Sequence, residues 1–415
     1  MEAEAIITLV KNVPVLRFQE FEDFWMEKRL KELTKLITKG TTPNSFSDKG
    51  AVFVKIEALN GKIIEKNKCL FVDELIHQKE LKRSILQEND LLFAIAGATI
   101  GKVAVVTNDI LPANTNQALA IIRLANTDNL DYLLHLLQSK VMKRYIYMNI
   151  SVGAQPNLNL EQIGSFTFHL PSLAEQQKIA SFLTAVDDKI QHLSKKKDLL
   201  EMYKRGAIQQ IFSQQIRFRD ENGNAFPVWE EKKLAEVCDT AKSGGTPAST
   251  KKEYYDGDIP FLSISDMTSQ GKYLKYTSNH ISELGLRNSS AWIIPVDTII
   301  YSMYASVGFV AINKIPIATS QAVLNLIINK RNNVEFIYYS LVKLQESIAK
   351  YITTGTQSNL NAQTVKAFEI QVPCLEEQNK IANFLISIDN KIDIIKKQLE
   401  QAKLFKKGLL QQMFV

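Results

Sequence analysis

The sequence predicts an α+β chain in which two mixed α/β modules stand in internal repeat, separated by two long helices that pair as an antiparallel coiled coil. Three observations predict it. Between Pro373 and Phe414 the residues Ile381, Leu385, Ile388, Ile392, Ile395, Leu399, Ala402, Phe405, Leu409 and Met413 fall mostly at 4-3 spacing, the heptad signature of a coiled-coil seam. Displaced by 202 residues, the row returns as Ile179, Leu183, Val186, Ile190, Leu193, Lys197, Leu200, Tyr203, Ala207 and Ile211, broken only by Lys197. Ahead of each helix, short β-rich runs recur in the same order.

The predicted divisions are a first module over 1–170, a long helix over 171–213, a second module over 214–372 and a second long helix over 373–415. Residues 1–16 have no counterpart in the second half. The first module opens on Trp25-Met-Glu-Lys-Arg-Leu30, matched by Trp229-Glu-Glu-Lys-Lys-Leu234. Gly40-Thr-Thr-Pro43 and Gly244-Gly-Thr-Pro247 follow, read as turns in which glycine supplies positive φ and proline fixes the next step.

Strands are predicted at Ala51 to Ile56, Leu91 to Ile95, Lys102 to Val106 and Ala118 to Ile122, and again at Ile259 to Ile264, Thr298 to Tyr301, Val307 to Ile312 and Ala322 to Ile328. An amphipathic helix comes next, Leu130 to Met148 or Val334 to Ile352. A polar loop and a last strand, Phe166 to Leu170 or Phe368 to Val372, lead into each long helix, whose start Pro171 or Pro373 marks. At 1.5 Å per residue each helix would be a rod of about 58 Å.

Composition narrows the function. An apolar fraction of 45% with 23% charged residues describes a folded globular chain. The net charge of +6 permits a polyanionic partner without requiring one. Cys69, Cys238 and Cys374 have no C-x-x-C spacing and no histidine cluster beside them, so disulfides and structural zinc are not expected and a reducing cytosol is. No run reaches the length of a membrane span, and Met1-Glu-Ala-Glu is acidic where a signal peptide is basic.

A search for catalysis finds none. Gly97-Ala-Thr-Ile-Gly101-Lys102 is one residue short of a phosphate loop and continues with Val103 rather than Ser or Thr; its twin, Tyr304 to Phe309, lacks the lysine. The expected structure is a tight turn between strands. There is no Asn-Pro-Pro-Tyr-like tetrapeptide for a flipped adenine and no glycine-rich turn for a methyl-donor nucleotide. Each long helix carries seven basic and five acidic residues, a near balance that suits a scaffold or protein-docking surface more than a phosphate track. A coiled-coil scaffold or adaptor with two protein-binding end modules therefore stays open on these features alone.

Other spelling is more specific. Leu170-Pro-Ser-Leu-Ala-Glu-Gln-Gln-Lys-Ile-Ala and Val372-Pro-Cys-Leu-Glu-Glu-Gln-Asn-Lys-Ile-Ala open the two helices, and Glu253-Tyr-Tyr-Asp-Gly-Asp-Ile-Pro-Phe261 follows Gly244-Gly-Thr-Pro in the second module. In these motifs, from about residue 17 onward, the chain resembles the specificity subunit of type I restriction-modification systems. The first module departs from the pattern at Ser47-Asp-Lys-Gly-Ala-Val-Phe53.

The resemblance implies that the modules are target recognition domains, each reading half of a split, asymmetric DNA sequence. It implies a chain without catalysis or cofactor of its own. S-adenosylmethionine, ATP and Mg would sit on two modification subunits and on restriction subunits that join them, in the cytoplasm of a prokaryote. Base edges are read by amides, hydroxyls and cations. The residues nominated for DNA contact are therefore Lys39, Thr42, Lys55, Thr99, Lys102, Asn114, Gln117, Gln155 and Asn157 in the first module, and Ser243, Thr246, Ser263, Ser265, Tyr304, Ser306, Gln321, Gln357 and Asn359 in the second.

Overall fold

The computed structural model describes residues 13–127, 129–150, 156–345 and 360–415. It divides into two compact units, residues 1–195 with 396–415, and residues 196–395. Each unit thus takes one module together with part of both long helices.

In the first unit the chain order is β1 (Met26–Arg29), β2 (Thr34–Lys39), β3 (Ala51–Val54), β4 (Leu59–Asn60), β5 (Ile63–Ile64), β6 (Leu70–Val72), β7 (Leu91–Ala94), β8 (Val103–Val105), β9 (Ala113–Thr115) and β10 (Leu119–Leu124). Helices α1 (Leu130–Gln138), α2 (Lys140–Asn149) and α3 (Leu160–Gly164) precede β11 (Thr167–Leu170) and the long helix α4 (Leu173–Phe212). A four-stranded sheet runs β2-β10-β7-β8, a three-stranded sheet β6-β3-β9, and β1 pairs with β11.

Strand alternation explains why β7 reads as a continuous apolar run. Phe93, with Val103 and Ile122, faces α1 and the helix residues Ile179, Leu183, Leu409 and Met413. Leu92 and Ala94, with Ile121, face Val52 and Val54 of the second sheet. Both faces are buried, so neither can be polar.

The second unit repeats the plan with the same number of strands gathered into larger sheets. It contains β12 (Glu230–Lys233), β13 (Cys238–Ser243), β14 (Tyr255–Leu262), α5 (Ile264–Gln270), β15 (Tyr273–Leu274), β16 (Asn279–Ile281), α6 (Glu283–Arg287), β17 (Ile293–Ile294), β18 (Ile299–Ser302), β19 (Val310–Asn313), β20 (Ile317–Thr319) and β21 (Val323–Ile328). Then come α7 (Val334–Leu344), α8 (Ala362–Lys366), β22 (Glu369–Val372) and the long helix α9 (Leu375–Gln412). Its sheets run β13-β21-β18-β19-β15, β16-β14-β20-β17 and β12-β22. Phe336, Ile337 and Tyr339 of α7 share its core with Ile208 and Ile211 of α4 and with Ile381, Leu385 and Ile388 of α9.

Several expectations change. The predicted helix from Leu130 to Met148 is broken at Ser139, which is buried with extended ψ of 172° and turns the chain between α1 and α2. Its counterpart ends at Leu344, and the remainder of the expected run falls almost entirely outside the described residues. Gly40 and Gly244 do not adopt positive φ. They are needed for close approach, since a Cβ would lie 2.0 Å from the Thr115 carbonyl oxygen at Gly40 and 1.8 Å from that of Thr319 at Gly244.

In the helix rows Tyr203 and Phe405 are exposed, while the buried seam continues through Ile392, Ile395, Leu399 and Leu409. Beside those two aromatics, Lys204 pairs with Asp389 in the second unit and Lys406 pairs with Asp187 in the first. The repeat of 202 residues carries each lysine and each aspartate onto the other, so the same ion pair recurs in both units.

Candidate nucleic-acid interface

The strand register gathers the nominated loops. In the first unit Lys39 lies opposite Ala120, Ala94 opposite Leu119, and Val54 beside Thr115. The loops leaving β2, β3 and β7 and the loop entering β10 therefore open on one edge. Thr42 and Gln117 hydrogen-bond across it. Thr41 N–H donates to the Thr115 carbonyl at 3.0 Å, and Gly97 N–H to that of Pro156 at 3.1 Å. Lys39, Thr42, Lys102, Gln117 and Asn157 are exposed there, with Lys55 and Thr99 half-buried.

The second unit builds the same edge from different residues. Ser243 lies opposite Leu324, Ser302 opposite Val323, and Leu262 beside Thr319. Thr246 donates to the Gln321 side-chain oxygen at 2.7 Å, and Gly245 N–H to the Thr319 carbonyl at 3.0 Å. Thr246, Ser265, Tyr304, Ser306 and Gln321 are exposed, while Ser243 is half-buried. Both apparent phosphate loops are turns, with Gly97 at φ 80° and Gly101 at 91° in one, and Ser306 at 59° and Gly308 at 84° in the other.

Two nominations meet structural work instead. Asn114 is fully buried, and its amide is consumed by the His77 ring at 2.5 Å, the Leu81 carbonyl at 3.1 Å and the Ser84 hydroxyl at 3.4 Å, so it holds the core of the loop and cannot touch a base. Ser263 caps α5, accepting from Asp266 N–H and bonding the Asp266 carboxylate at 2.7 Å, and the exposed Ser265 hydroxyl lies 2.8 Å from its Oγ. Gln155, Gln357 and Asn359 lie outside the described residues.

Sequence reasoning missed what ties each module to its helix. In the first unit Arg17 Nε and Nη2 each lie 2.8 Å from the buried Glu175 carboxylate, which also accepts from Trp25 Nε1 at 3.2 Å. In the second, Arg217 makes the same two 2.8 Å bonds to buried Glu377, joined by Trp229 Nε1 at 3.0 Å. The adjacent Gln176 and Gln378 amides donate to the Pro171 and Pro373 carbonyls. These bonds explain the Pro…Glu-Gln spelling that a coiled coil alone does not demand. The shared Trp and Glu-Gln were visible in the sequence, but nothing there joined them to an arginine.

A second polar knot lies where the modules meet the helix flanks. In the second unit Lys272 Nζ reaches Glu335 at 2.7 Å, Tyr339 Oη at 2.7 Å and Asp389 at 3.2 Å, over the faces of three tyrosine rings. Burial and the neighbouring carboxylates push the Tyr339 hydroxyl far above its ordinary range, so it remains a donor. The first unit has Lys62 on Asp131 and Lys406 on Asp187, with His135 standing where Tyr339 stands. Burial, reinforced by Lys406 and Lys62, holds His135 neutral with its pKa lowered to about 3.

Among the described residues no group of three or more His, Cys, Asp or Glu could hold a metal ion. Burial pushes the Cys69 thiol up to about 11, away from nucleophilic use. Two repeated scaffolds, each presenting its own polar loops on one sheet edge and each clamped to long helices, define a two-module recognition subunit.

The comparisons place it. Residues 22–202 and 228–404 match the type I restriction modification DNA specificity domain, and the chain belongs to that family. It is 25% identical to the MjaX specificity subunit of Methanocaldococcus jannaschii over 96% of this chain and 95% of that one. It is 24% identical to the HindI specificity subunit of Haemophilus influenzae over 85% and 90%. The MjaIX specificity subunit of M. jannaschii is 35% identical across 175 residues, 41% of this chain and 40% of its own. Among solved structures, the type I S subunit of M. genitalium superposes with a TM-score of 0.60 at 17% identity, covering 97% of this chain and 99% of that one.

Proposed function

We propose that this chain is the sequence-specific DNA-binding subunit of a type I restriction-modification complex, recognising a bipartite asymmetric target and directing the modification and restriction subunits to it. One observation carries the reading: two copies of one scaffold place unlike polar side chains on equivalent edges. Shared groups such as the Thr42–Gln117 and Thr246–Gln321 pairs shape the edge. Unlike groups, Lys39, Lys55 and Thr99 against Ser243, Ser265 and Tyr304, then give each edge its own base preference, while phosphates set register.

The chain itself performs no chemistry in this reading. The methyl donor, ATP and Mg belong to partner subunits, and two modification subunits dock on the helices. Supporting that docking, the exposed apolar pairs Met202–Tyr203 on α4 and Leu404–Phe405 on α9 occupy equivalent positions of the repeat. Exposed large side chains recurring at matched places suit two like partners.

Binding of the assembled modification complex to target and random duplex across a salt series tests the reading. A recognition subunit discriminates the target at every salt and weakens steeply as salt rises. Equal, salt-insensitive binding to both duplexes would favour a protein-binding adaptor instead.

A further inference from the structure

We propose that a lysine-rich cleft in the first unit holds phosphates of the DNA backbone, making the contact with DNA electrostatically unequal between the two modules. The proposal rests on the recognition reading above and adds a phosphate site to which, of the nominated residues, Lys102 contributes. The cleft encloses about 600 Å³ and is walled by the hairpin at Asn60 and Gly61, the turn at Gly101 and Lys102, Lys140 and Lys143 of α2, and the last turns of α9. From α9 it takes Lys403, Lys406 and Lys407.

The charges on these walls are largely uncompensated. Lys406 is committed to Asp187 and Gln138. Lys403 pairs with the exposed Glu400, a contact of small worth. Lys140, Lys143 and Lys407 are exposed and have no ion pair among the described residues, and exposed Lys102 acts at longer range on Glu65, which Lys68 already holds. On a convex helix face such lysines are ordinary solvation. Here they converge on a concavity, where like charges raise the local potential and draw a polyanion. On α2 the exposed face continues through Arg144 and Tyr147, spaced i, i+4 and i+7 from Lys140.

The repeat argues against a structural cause. Lys406 and Lys407 have cationic counterparts in Lys204 and Arg205, but the positions of Lys102, Lys140 and Lys403 are taken by Phe309, Leu344 and Glu201 in the second copy, so the shared scaffold does not require those three lysines. The cleft is also continuous with the candidate interface, since Lys102 N–H donates to the carbonyl of Thr99 on the exposed turn. A duplex lying on that edge brings a regular row of phosphates to the cleft mouth, which favours nucleic acid over an acidic protein surface.

The test is a salt titration of the assembled modification complex, comparing wild type with the combined variant K140Q/K143Q/K403Q/K407Q and with the arginine set K140R/K143R/K403R/K407R. Loss of four phosphate contacts at about 0.9 ions each makes the plot of log affinity against log salt shallower by about 3 to 4 for the glutamine set. The loss is equal on target and random duplex, and the arginine set retains the wild-type slope, which a misfolded protein would not. An unchanged slope in the glutamine set, with target discrimination intact, overturns the cleft and leaves the recognition reading standing. Failure of the wild type to discriminate target from random duplex overturns that reading and the cleft with it. Inorganic triphosphate binding that the glutamine set abolishes, with the duplex slope unaltered, assigns the cleft to a free anion and overturns the proposal.

Discussion

Removing Arg217 should destabilise the second unit. Its guanidinium makes two 2.8 Å bonds to Glu377, a carboxylate with no exposed side-chain area, and also donates to the carbonyls of Phe226 and Pro227, which lead into β12. Among the described residues, Arg217→Ala leaves the buried carboxylate with the Trp229 N–H to meet it. Breaking a buried pair by removing one partner costs about 3–5 kcal/mol. The arginine is 27% exposed, so water can enter and the lower end, about 3 kcal/mol, is expected. For a unit of this size that corresponds to a fall of roughly 6–12 °C in melting temperature.

Urea denaturation of Arg217→Ala, Glu377→Met and the double variant Arg217→Met/Glu377→Met measures it. The double variant should recover part of the loss, because both charges are gone, but not all, because Trp229 Nε1 then lacks its acceptor. A change below about 0.5 kcal/mol in Arg217→Ala would refute the clamp as the reason for the Pro…Glu-Gln spelling.

His135 gives a pH signature: with its folded pKa near 3, below the ordinary value of 6.5, the unfolded chain binds the extra proton, so this histidine's contribution is complete above about pH 6.5 and is lost as pH falls toward 3. Asp187, 3.9 Å from Nδ1, does not reverse the sign because it is already paired with Lys406; His135→Leu should therefore flatten the stability-versus-pH curve between those limits, and a parallel curve would contradict it. Gly244→Ala should cost roughly 1–3 kcal/mol, since its Cβ meets the Thr319 backbone rather than a movable side chain, and thermal melts together with DNA binding should both show the loss. Lys197→Leu should preserve or raise the melting temperature, because Lys197 pairs with its neighbour Asp198 at 3.3 Å and such pairs are worth about 1 kcal/mol or less; a clear drop would expose a partner role for the lysine.

The repeat, the long helices and the apolar strands were legible because they depend on periodicity, which a sequence carries openly. Strands such as β12, spelled Glu-Glu-Lys-Lys, were not, because β22 supplies their pairing from a point about 140 residues later in the chain. The break at Ser139 escaped for a similar reason: apolar spacing continues across it, and only packing turns the chain. At the candidate interface, loop position showed which residues gather but not which are free. Asn114 and Thr115 both stand on the buried strand β9, and nothing in the letters separates that asparagine from exposed Asn157. The clamps needed a third residue, Arg17 or Arg217, brought from about 160 positions away.

Each module reads its own half of the target on a shared scaffold in the function proposed above. Its most direct measurement replaces residues 214–372 with the corresponding module of another family member and maps the methylated adenines that the reconstituted complex leaves in a genome. One half-site should change to the donor's while the other half-site and the gap between them stay as they were. If both half-sites changed together, or neither did, the modules would not be independent readers and the sheet edges would not be the reading surface.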